Sequence, residues 1–291
     1  MKYKELVGLA TSELKHHGVY EGLAMRLMIE RTLELGLDFY AINDQEANPE
    51  FTKAYLNDIQ RLVEDEPLAH VLGYEWFFGR LFKITPDVLI PREETEELVE
   101  NVLLDIDEYF EDKNLIVADI GTGSGNIGLT LKAEEPSLQL HLTDISEKAL
   151  AIAQENAKKI EAKVNFYRGD MAQPLIDQKI KLDVLVCNPP YIQAHEEVQT
   201  SVLKYEPHVA LFGGDDGLKY YRQVLKQSHE IMKPKFMMAF EIGFDQGKNL
   251  TDLIKEHYPK ATVIVRKDLN RKDRMVFVYN NLVALNENAT L

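Results

Sequence analysis

Hydrophobic residues recur every three or four positions through the first 64 residues, which is the spacing of one face of an α-helix. Three such patterns cover residues 3–17, 20–35 and 49–64. Gly18 and Gly36 end the first two, and Pro49, a residue favoured in the first turn of a helix, begins the third. The pattern predicts a small helical bundle.

A stretch rich in aromatic residues follows at 74–90 and surrounds Gly79, which predicts a β-hairpin. The residues before this stretch show helical spacing of hydrophobic positions, whereas those after it show short apolar segments that alternate with helical ones. We therefore divide the chain into an N-terminal helical domain at 1–73, a hairpin linker at 74–90 and a larger domain at 91–291.

In the larger domain, short apolar segments alternate with helical stretches, which is typical of a parallel sheet covered on both faces. The predicted strands lie near 115–120, 139–143, 163–167, 182–187, 236–242, 261–265 and 275–279. The connection between the last two is too short for a crossover helix, so we expect that pair to be antiparallel. The predicted fold class is α/β, with a seven-stranded, mostly parallel sheet.

The composition is that of an ordinary globular protein, with 45% hydrophobic and 28% charged residues in 291. No apolar run approaches the roughly 20 residues that cross a bilayer. The lone Cys187 excludes an internal disulfide and cannot by itself form a thiolate zinc site, and the histidines show no paired ligand spacing. We expect a cytoplasmic monomer that has no metal and no membrane contact.

The net charge of −15 is concentrated early in the chain. Residues 1–90 carry −6, residues 91–112 carry −9, and the remainder carries no net charge. A protein that binds long nucleic acid normally presents a basic domain or stripe to the phosphates. The distribution therefore disfavours direct nucleic-acid binding.

The first predicted strand of the sheet runs directly into a glycine-rich loop. Its residues are Asp119, Gly121, Thr122, Gly123, Ser124 and Gly125. A dinucleotide fingerprint would require glycine at position 126, which is Asn126, and no Gly-Lys-Ser/Thr follows to form a P-loop. A loop of the form Asp-x-Gly-x-Gly-x-Gly resembles the S-adenosylmethionine loop of the seven-stranded methyltransferases. The alternative is an ordinary tight turn between strand and helix.

Acidic residues follow the next two predicted strands. Asp144, followed by Ile145, is placed to accept the two hydroxyl protons of a ribose, although it could instead cap the helix that follows. Asp170 is a candidate acceptor for the adenine amine, with Met171 lying on the adenine ring; the alternative for Asp170 is a turn residue.

The fourth predicted strand ends in Asn188, Pro189, Pro190 and Tyr191. In open α/β sheets the ligand crevice lies at this end of the strands. The side-chain oxygen of Asn188 and the carbonyl of Pro189 are two acceptors for the hydrogens of a planar nitrogen, and Tyr191 offers a flat face for stacking. The segment is a candidate catalytic and substrate-binding turn, and Asn188 is also a candidate cofactor contact because the turn should overlook the bound cofactor; the alternative is a stiff turn after a strand.

Arg92 is the only cation in a strongly acidic stretch, and we expect it near the mouth of the site as a substrate contact. Cys187 has no base tied to it by a motif, and we expect it to be part of the core rather than a nucleophile.

Taken together, these motifs resemble the bacterial release-factor glutamine methyltransferases (the PrmC or HemK family) over nearly the whole chain. The matching segments are 67–73, 90–96, 119–125, 144–146, 188–191, 205–207, 210–218, 241–243, 267–269 and 273–274. Two positions depart from the family's usual pattern: Glu93 stands in place of a second proline, and Met171 stands where relatives carry an aromatic residue.

The resemblance implies transfer of a methyl group from S-adenosylmethionine to the glutamine side chain in the Gly-Gly-Gln motif of peptide-chain release factors. It also implies that the helical domain binds the release factor. Two other functions stay open on the residues alone: a nucleic-acid amine methyltransferase on the same scaffold, and a cofactor- or partner-binding protein without turnover.

Overall fold

The computed structural model describes residues 1–285; the last six residues of the predicted 91–291 domain lie outside this range. The helices are α1 Tyr3–His16, α2 Gly22–Glu34, α3 Phe39–Ile42, α4 Pro49–Val63, α5 Leu68–Leu72, α6 Glu93–Tyr109, α7 Asn126–Glu134, α8 Glu147–Ile160, α9 Gln173–Asp177, α10 Thr200–Tyr205, α11 Lys219–Ile231 and α12 Gly247–His257, with a short 3-10 helix at His208–Ala210. The strands are β1 Tyr74–Phe77, β2 Arg80–Lys83, β3 Ile116–Ile120, β4 Gln139–Asp144, β5 Asn165–Arg168, β6 Leu182–Cys187, β7 Met232–Glu241, β8 Thr262–Lys267 and β9 Asp273–Asn280.

Contacts group the chain into two compact units. The first contains Met1–Glu75 and Gln199–Tyr205, and the second contains Trp76–Val198 and the chain from Glu206 onward. Helix α10 joins the first unit, where the Tyr205 hydroxyl donates to the Glu64 carbonyl oxygen at 2.9 Å. The sequence pattern predicted no such return of the chain, and the proposed division at residues 73 and 90 stays a prediction.

The helices of the first unit begin and end where local chemistry favours it. Asn48 caps α4, its side-chain oxygen accepting the Phe51 amide at 2.6 Å, and Pro49 occupies the first turn. Gly73 ends α5 in the left-handed conformation, with φ of 83°. The buried apolar faces form one core whose largest fully buried members are Tyr55, Leu6, Leu14, Leu27, Met28, Ile59 and Leu62.

The hairpin is shorter than predicted. Strands β1 and β2 are joined by Phe78 and Gly79, both with positive φ as a two-residue turn requires, and pairing ends at Lys83. The expectation that the hairpin extends to residue 90 is wrong. Residues 84–90 lie outside the two strands, and Pro86 among them has no N–H to donate to a ladder.

The second unit contains the predicted seven-stranded sheet, in the order β5-β4-β3-β6-β7-β9-β8. Strands β3 to β7 pair in parallel, while β9 pairs antiparallel with β7 and β8, which confirms the predicted fold class and the antiparallel last pair. The strand order reverses between β3 and β6. Ligands of open α/β sheets bind at such a reversal, outside the carboxyl ends of the strands.

Helix α7 packs tightly on the sheet at Gly128. A Cβ atom at this position would lie 3.0 Å from both Cβ and Oδ2 of Asp119 and 3.1 Å from Cδ1 of Leu142. Asp119 lies on the central strand β3, so its backbone cannot easily yield. The fingerprint of dinucleotide sites places a glycine for close helix–strand packing at position 126; in this chain Gly128 permits that approach.

We predict that Gly128→Ala lowers the free energy of unfolding of the second unit by about 1–3 kcal/mol, because the added methyl group overpacks this contact. The matched control is Gly8→Ala in α1, where no atom lies within 4 Å of the added Cβ. That variant should be stabilised by about 0.5–1 kcal/mol. Urea unfolding of both variants measures the difference, and equal midpoints would contradict the prediction.

Candidate active site

A cleft opens at the carboxyl ends of β3, β4 and β6 in the second unit. Its volume is about 880 Å³, counted out to its open mouth. Its walls come from residues 87–92, the glycine-rich loop, the turn after β4, the turn after β6 and the segment around the 3-10 helix. The predicted site residues that line it are Arg92, Gly121, Thr122, Gly123, Ser124, Asp144, Ile145, Met171, Asn188 and Pro190.

The glycine-rich loop is held against the end of β4. The amides of Gly121 and Thr122 both donate to the Thr143 carbonyl oxygen at 2.9 Å. Gly121, Gly123 and Gly125 all have positive φ, which side-chain-bearing residues rarely adopt. The loop therefore presents backbone to the cleft and leads into the N-terminus of α7.

Asp119 lies beneath this loop and not on the cleft wall. Its Oδ2 accepts the Thr122 hydroxyl at 2.6 Å and the Gly128 amide at 2.9 Å, whereas Oδ1 is buried and has no hydrogen-bond partner within residues 1–285. Burial raises the pKa of Asp119 to about 6, against the two hydrogen bonds. The structure gives Asp119 a role in shaping the loop, and direct contact with a cofactor stays a prediction.

Asp144 ends β4 and faces the cleft. Its Oδ2 accepts the Gly123 amide at 2.9 Å and its Oδ1 accepts the Ser146 amide at 2.8 Å. The cap of α8 is Ser146, whose hydroxyl accepts the Ala149 amide at 3.2 Å, so the alternative of Asp144 as the helix cap is wrong. Each carboxylate oxygen keeps a lone pair, which suits Asp144 to a vicinal diol.

Burial raises the pKa of Asp144, and the amides of Ser146, Gly123 and Ile145 oppose that effect. These donors stabilise the charged form that a ribose diol would meet. An adenosine group therefore fits the residues present here, with a carboxylate acceptor, an exposed backbone loop and the apolar side chains of Ile145 and Met171 on one cleft.

Met171 and Asp170 differ in placement. Met171 lines the cleft, and the Thr143 hydroxyl donates to its carbonyl oxygen at 2.9 Å. Asp170 has an exposed side chain and does not belong to the cleft wall. Its predicted contact with adenine stays a prediction.

The turn after β6 is braced from behind by residues 211–217. Asn188 and Pro190 line the cleft, Pro189 is buried, and Tyr191 is largely enclosed. A Cβ atom at Gly213 would lie 2.6 Å from the Pro190 carbonyl oxygen, and one at Gly217 would lie 2.3 Å from the Tyr191 carbonyl oxygen. Only glycine permits this approach, which explains the two glycines.

Further contacts hold the same turn. The Gln246 side-chain amide donates to the Tyr191 carbonyl oxygen at 3.0 Å. The Ile192 amide donates to Leu211, and the Gly213 amide donates to Ile192, at 3.0 and 2.8 Å. Residues 1–285 contain no cis peptide bond, so both bonds of the proline pair are trans. The turn is thus fixed along its whole length.

Glu241, a buried carboxylate in the matching segment 241–243 to which the motifs assigned no role, lies behind this turn. Oε2 of Glu241 accepts the Thr95 hydroxyl at 2.7 Å, and Oε1 accepts the Tyr191 hydroxyl at 3.5 Å. The side-chain amide of Asn188 donates to the Thr95 hydroxyl oxygen at 3.4 Å. The sequence feature that could have indicated it is a glutamate at the end of the apolar strand β7, where the carboxyl ends of the strands form the cleft.

Arg92 reaches the cleft, where its guanidinium pairs with the buried carboxylate of Glu206. Glu206 also accepts the Ile90 amide at 3.1 Å. This pairing ties the segment before α6 to the segment that carries the 3-10 helix, and both form walls of the cleft. A direct contact of Arg92 with substrate stays a prediction.

Cys187 is buried at the end of β6, and burial raises the pKa of its thiol well above the usual value. A buried thiol of this kind is not ionised at neutral pH and is a poor nucleophile. Within residues 1–285, no group of three or more His, Cys, Asp or Glu side chains is arranged to hold a metal ion. No helix in that range is long and apolar enough to span a membrane.

Comparison with known proteins first defines the class. Residues 100–206 match the family model described as "Methyltransferase small domain". The fold is shared with a methyltransferase from Pyrococcus furiosus, with a TM-score of 0.52 and 17% identity over 77% of this chain and 98% of that one. The sheet of the second unit therefore has the fold of that methyltransferase.

The family follows from closer relatives. The release factor glutamine methyltransferase of Bacillus cereus is 40% identical over 95% of this chain and 99% of its own length. That of Staphylococcus aureus is 35% identical over 95% and 98%. The chain belongs to the release factor glutamine methyltransferases, which are S-adenosylmethionine-dependent protein-glutamine N-methyltransferases.

We predict that Asp144→Ala weakens S-adenosylmethionine binding by about ten- to a hundredfold, because the ribose loses a charged acceptor worth about 1.5–3 kcal/mol. Isothermal titration measures the Kd. Asp170→Ala, titrated alongside, tests the predicted adenine contact; its exposed position leads us to expect a smaller loss than for Asp144. Unchanged affinity in Asp144→Ala would remove Asp144 from the cofactor site.

Proposed function

We propose that this protein transfers a methyl group from S-adenosylmethionine to the side-chain amide nitrogen of the glutamine in the Gly-Gly-Gln motif of a peptide-chain release factor. The observation that carries the proposal is the position of Asn188 on the same cleft as Asp144 and the glycine-rich loop. The proposal places the reaction in the cytoplasm, where translation terminates, and assigns release-factor binding to the helical unit.

The cofactor side of the cleft is the loop and the turn after β4. Gly121 to Gly125 would offer backbone at close approach, Asp144 would accept the ribose hydroxyls, and Ile145 and Met171 would offer apolar surface to the adenine. When bound, S-adenosylmethionine supplies a methyl group that is activated by its positively charged sulfur. The residues that hold the substrate glutamine must position its amide nitrogen for the transfer.

A carboxamide nitrogen is a weak nucleophile because its lone pair is delocalised. Its reaction requires that the nitrogen be held in line with the methyl group and that its hydrogens be bound by fixed acceptors. We assign these acceptors to the Asn188 side-chain oxygen and the Pro189 carbonyl oxygen, with Pro190 keeping the turn rigid. Tyr191 supplies a flat face for the carboxamide, and Arg92 contacts the substrate near the mouth.

A strong base before attack is unnecessary in this arrangement. The amide nitrogen becomes acidic once it is methylated, and its proton can then pass to a backbone acceptor or to solvent. Positioning and preorganised polar groups each contribute several kcal/mol to reactions of this type. The turn after β6 supports this proposal, because the Pro190 and Tyr191 carbonyls, which follow Pro189, pack closely against Gly213 and Gly217.

The decisive experiment is incubation of the protein with S-adenosylmethionine and a release factor, followed by mass spectrometry of the release factor. We expect a mass increase of one methyl group on the peptide that contains Gly-Gly-Gln. A release factor with Gln→Ala in that motif should stay unmodified. Methylation of RNA or DNA in a parallel incubation, without methylation of the release factor, would replace the proposal with a nucleic-acid methyltransferase.

We predict that Asn188→Ala lowers kcat about 100-fold or more while the Kd for S-adenosylmethionine changes little, because the variant loses an acceptor for the reacting amide. The matched control is Asn165→Ala at the start of β5, at the opposite edge of the sheet, which should keep wild-type turnover. If cofactor affinity falls as far as turnover, Asn188 belongs to the cofactor site instead.

A further inference from the structure

The side chain of Asn188 is itself held by a chain of hydrogen bonds that leads into the protein. Its amide nitrogen lies 3.4 Å from the Thr95 hydroxyl oxygen, which lies 2.7 Å from Oε2 of Glu241. Thr95 and Asn188 line the cleft, whereas Glu241 is buried behind them with 2% of its surface exposed. The three residues come from α6, the turn after β6 and the end of β7.

The chemistry of these groups determines which way each hydrogen bond runs. An ionised carboxylate can only accept, so the hydroxyl hydrogen of Thr95 must point to Glu241. The Thr95 oxygen then has only lone pairs to offer Asn188, and only the amide nitrogen of Asn188 can donate to them. The carbonyl oxygen of Asn188 is thereby turned away from this chain of hydrogen bonds.

We propose that Glu241 and Thr95 are positioning residues that hold the Asn188 amide with its oxygen toward the cleft, where it accepts a hydrogen of the substrate glutamine. This inference rests on the proposed function, in which Asn188 contacts the acceptor. With the amide reversed, Asn188 would present N–H groups to the N–H groups of the glutamine, and binding in the reactive orientation would be lost.

The second carboxylate oxygen of Glu241 orients Tyr191 in the same way as the first orients Thr95. Its hydroxyl, 3.5 Å from Oε1, can only donate to the carboxylate, which anchors the far end of the ring. The Tyr221 hydroxyl donates to the Glu241 carbonyl oxygen at 2.6 Å and fixes the backbone beneath. Hydrogen bonds of active sites are often long before the substrate binds and tighten in the complex. One carboxylate therefore orients both predicted acceptor-binding side chains.

Several groups set the ionisation of Glu241. Burial raises its pKa to about 7; the Thr95 hydroxyl, the positive charge of Arg274 on β9 and the Asn188 amide oppose the increase, and Glu94 on α6 adds to it. The phenols of Tyr191 and Tyr221 are neutral at this pH, because burial raises the pKa of each. Arg274 also forms an ion pair with Asp268, in which Nε of Arg274 lies 3.2 Å from Oδ2 of Asp268.

The direction of the pH dependence follows from whether the Glu241 carboxyl group can donate a hydrogen bond. Above pH 7 the carboxylate is ionised and enforces the productive direction. Below pH 7 the protonated acid can donate to Thr95, whose hydroxyl is then free to donate to the Asn188 oxygen and hold the amide reversed. We expect kcat to fall as the pH drops through about 7, and the Kd for S-adenosylmethionine, measured at each pH, separates this fall from protonation of Asp119 or Asp144.

The test compares Thr95→Val, Thr95→Ser and Glu241→Gln with wild type. Thr95→Val keeps the shape but removes the hydroxyl, and Glu241→Gln introduces an amide that can donate to Thr95. We expect both to lower kcat about 10- to 100-fold, with the Kd for S-adenosylmethionine within about twofold of wild type. Thr95→Ser restores the hydroxyl and should retain most of the turnover.

The pH profile distinguishes positioning from a structural role. In Glu241→Gln the fall of kcat near pH 7 should disappear, since the titrating group is gone. The matched control is Thr130→Val in α7, a buried threonine whose hydroxyl has no partner within residues 1–285. That variant should keep the wild-type kcat and profile. If Glu241→Gln fails to fold, the comparison of Thr95→Val with Thr95→Ser tests the same hydrogen-bond chain.

Failure of this inference and failure of the proposed function give different results. If Asn188→Ala leaves methyl transfer unchanged, the proposed acceptor site is wrong. If Asn188→Ala abolishes transfer but Thr95→Val and Glu241→Gln keep the wild-type kcat and pH profile, the orientation of Asn188 does not depend on them. The second result overturns the inference alone.

Discussion

Buried carboxylates that accept hydrogen bonds from the loops above them organise the ligand edge of the sheet. Asp119 holds the glycine-rich loop through Thr122, and Asp144 holds the same loop through Gly123. Glu206 and Glu241 do the same for the segment before α6 and for the side chains behind Asn188. Each of these walls of the cleft is thus tied to a carboxylate, and those of Asp119, Glu206 and Glu241 are buried.

This arrangement has an energetic consequence. A carboxylate that is removed from water strongly prefers to be neutral, and burial raises the pKa of both Asp119 and Glu241. Pure stability would favour apolar residues of similar volume at such positions. Ionised acceptors instead impose a direction on each hydrogen bond, and reactions that depend on positioning benefit from that direction.

The strand reversal and the glycines act together with these acceptors. The order of the sheet reverses between β3 and β6, so the loops that follow these strands diverge and leave room for a ligand. Gly213 and Gly217 let a distant segment contact the turn after β6 directly, backbone against backbone. The rigidity of Asn188 to Tyr191 thus arises from packing as well as from the two prolines.

Local sequence patterns predicted the sheet, its antiparallel last pair and the family. Strand periodicity, glycine spacing and short motifs each depend only on residues that are close together in the sequence. They overextended the hairpin, because the aromatic and apolar residues of 74–90 do not reveal that strand pairing ends at Lys83. They also left open that Asp144 caps α8, because aspartate suits a helix cap, whereas the cap in the structure is Ser146.

The chain by itself determined which residues could carry the chemistry: the glycine loop, Asp144 and the Asn-Pro-Pro-Tyr turn. Only the tertiary structure decided which residues support them from within the protein. Thr95 and Glu241 are 146 residues apart, and Thr95 and Asn188 are 93 apart, so no local spacing relates them. Their hydrogen bonds exist because α6 and the ends of β6 and β7 meet at one edge of the sheet, and that meeting is a property of packing.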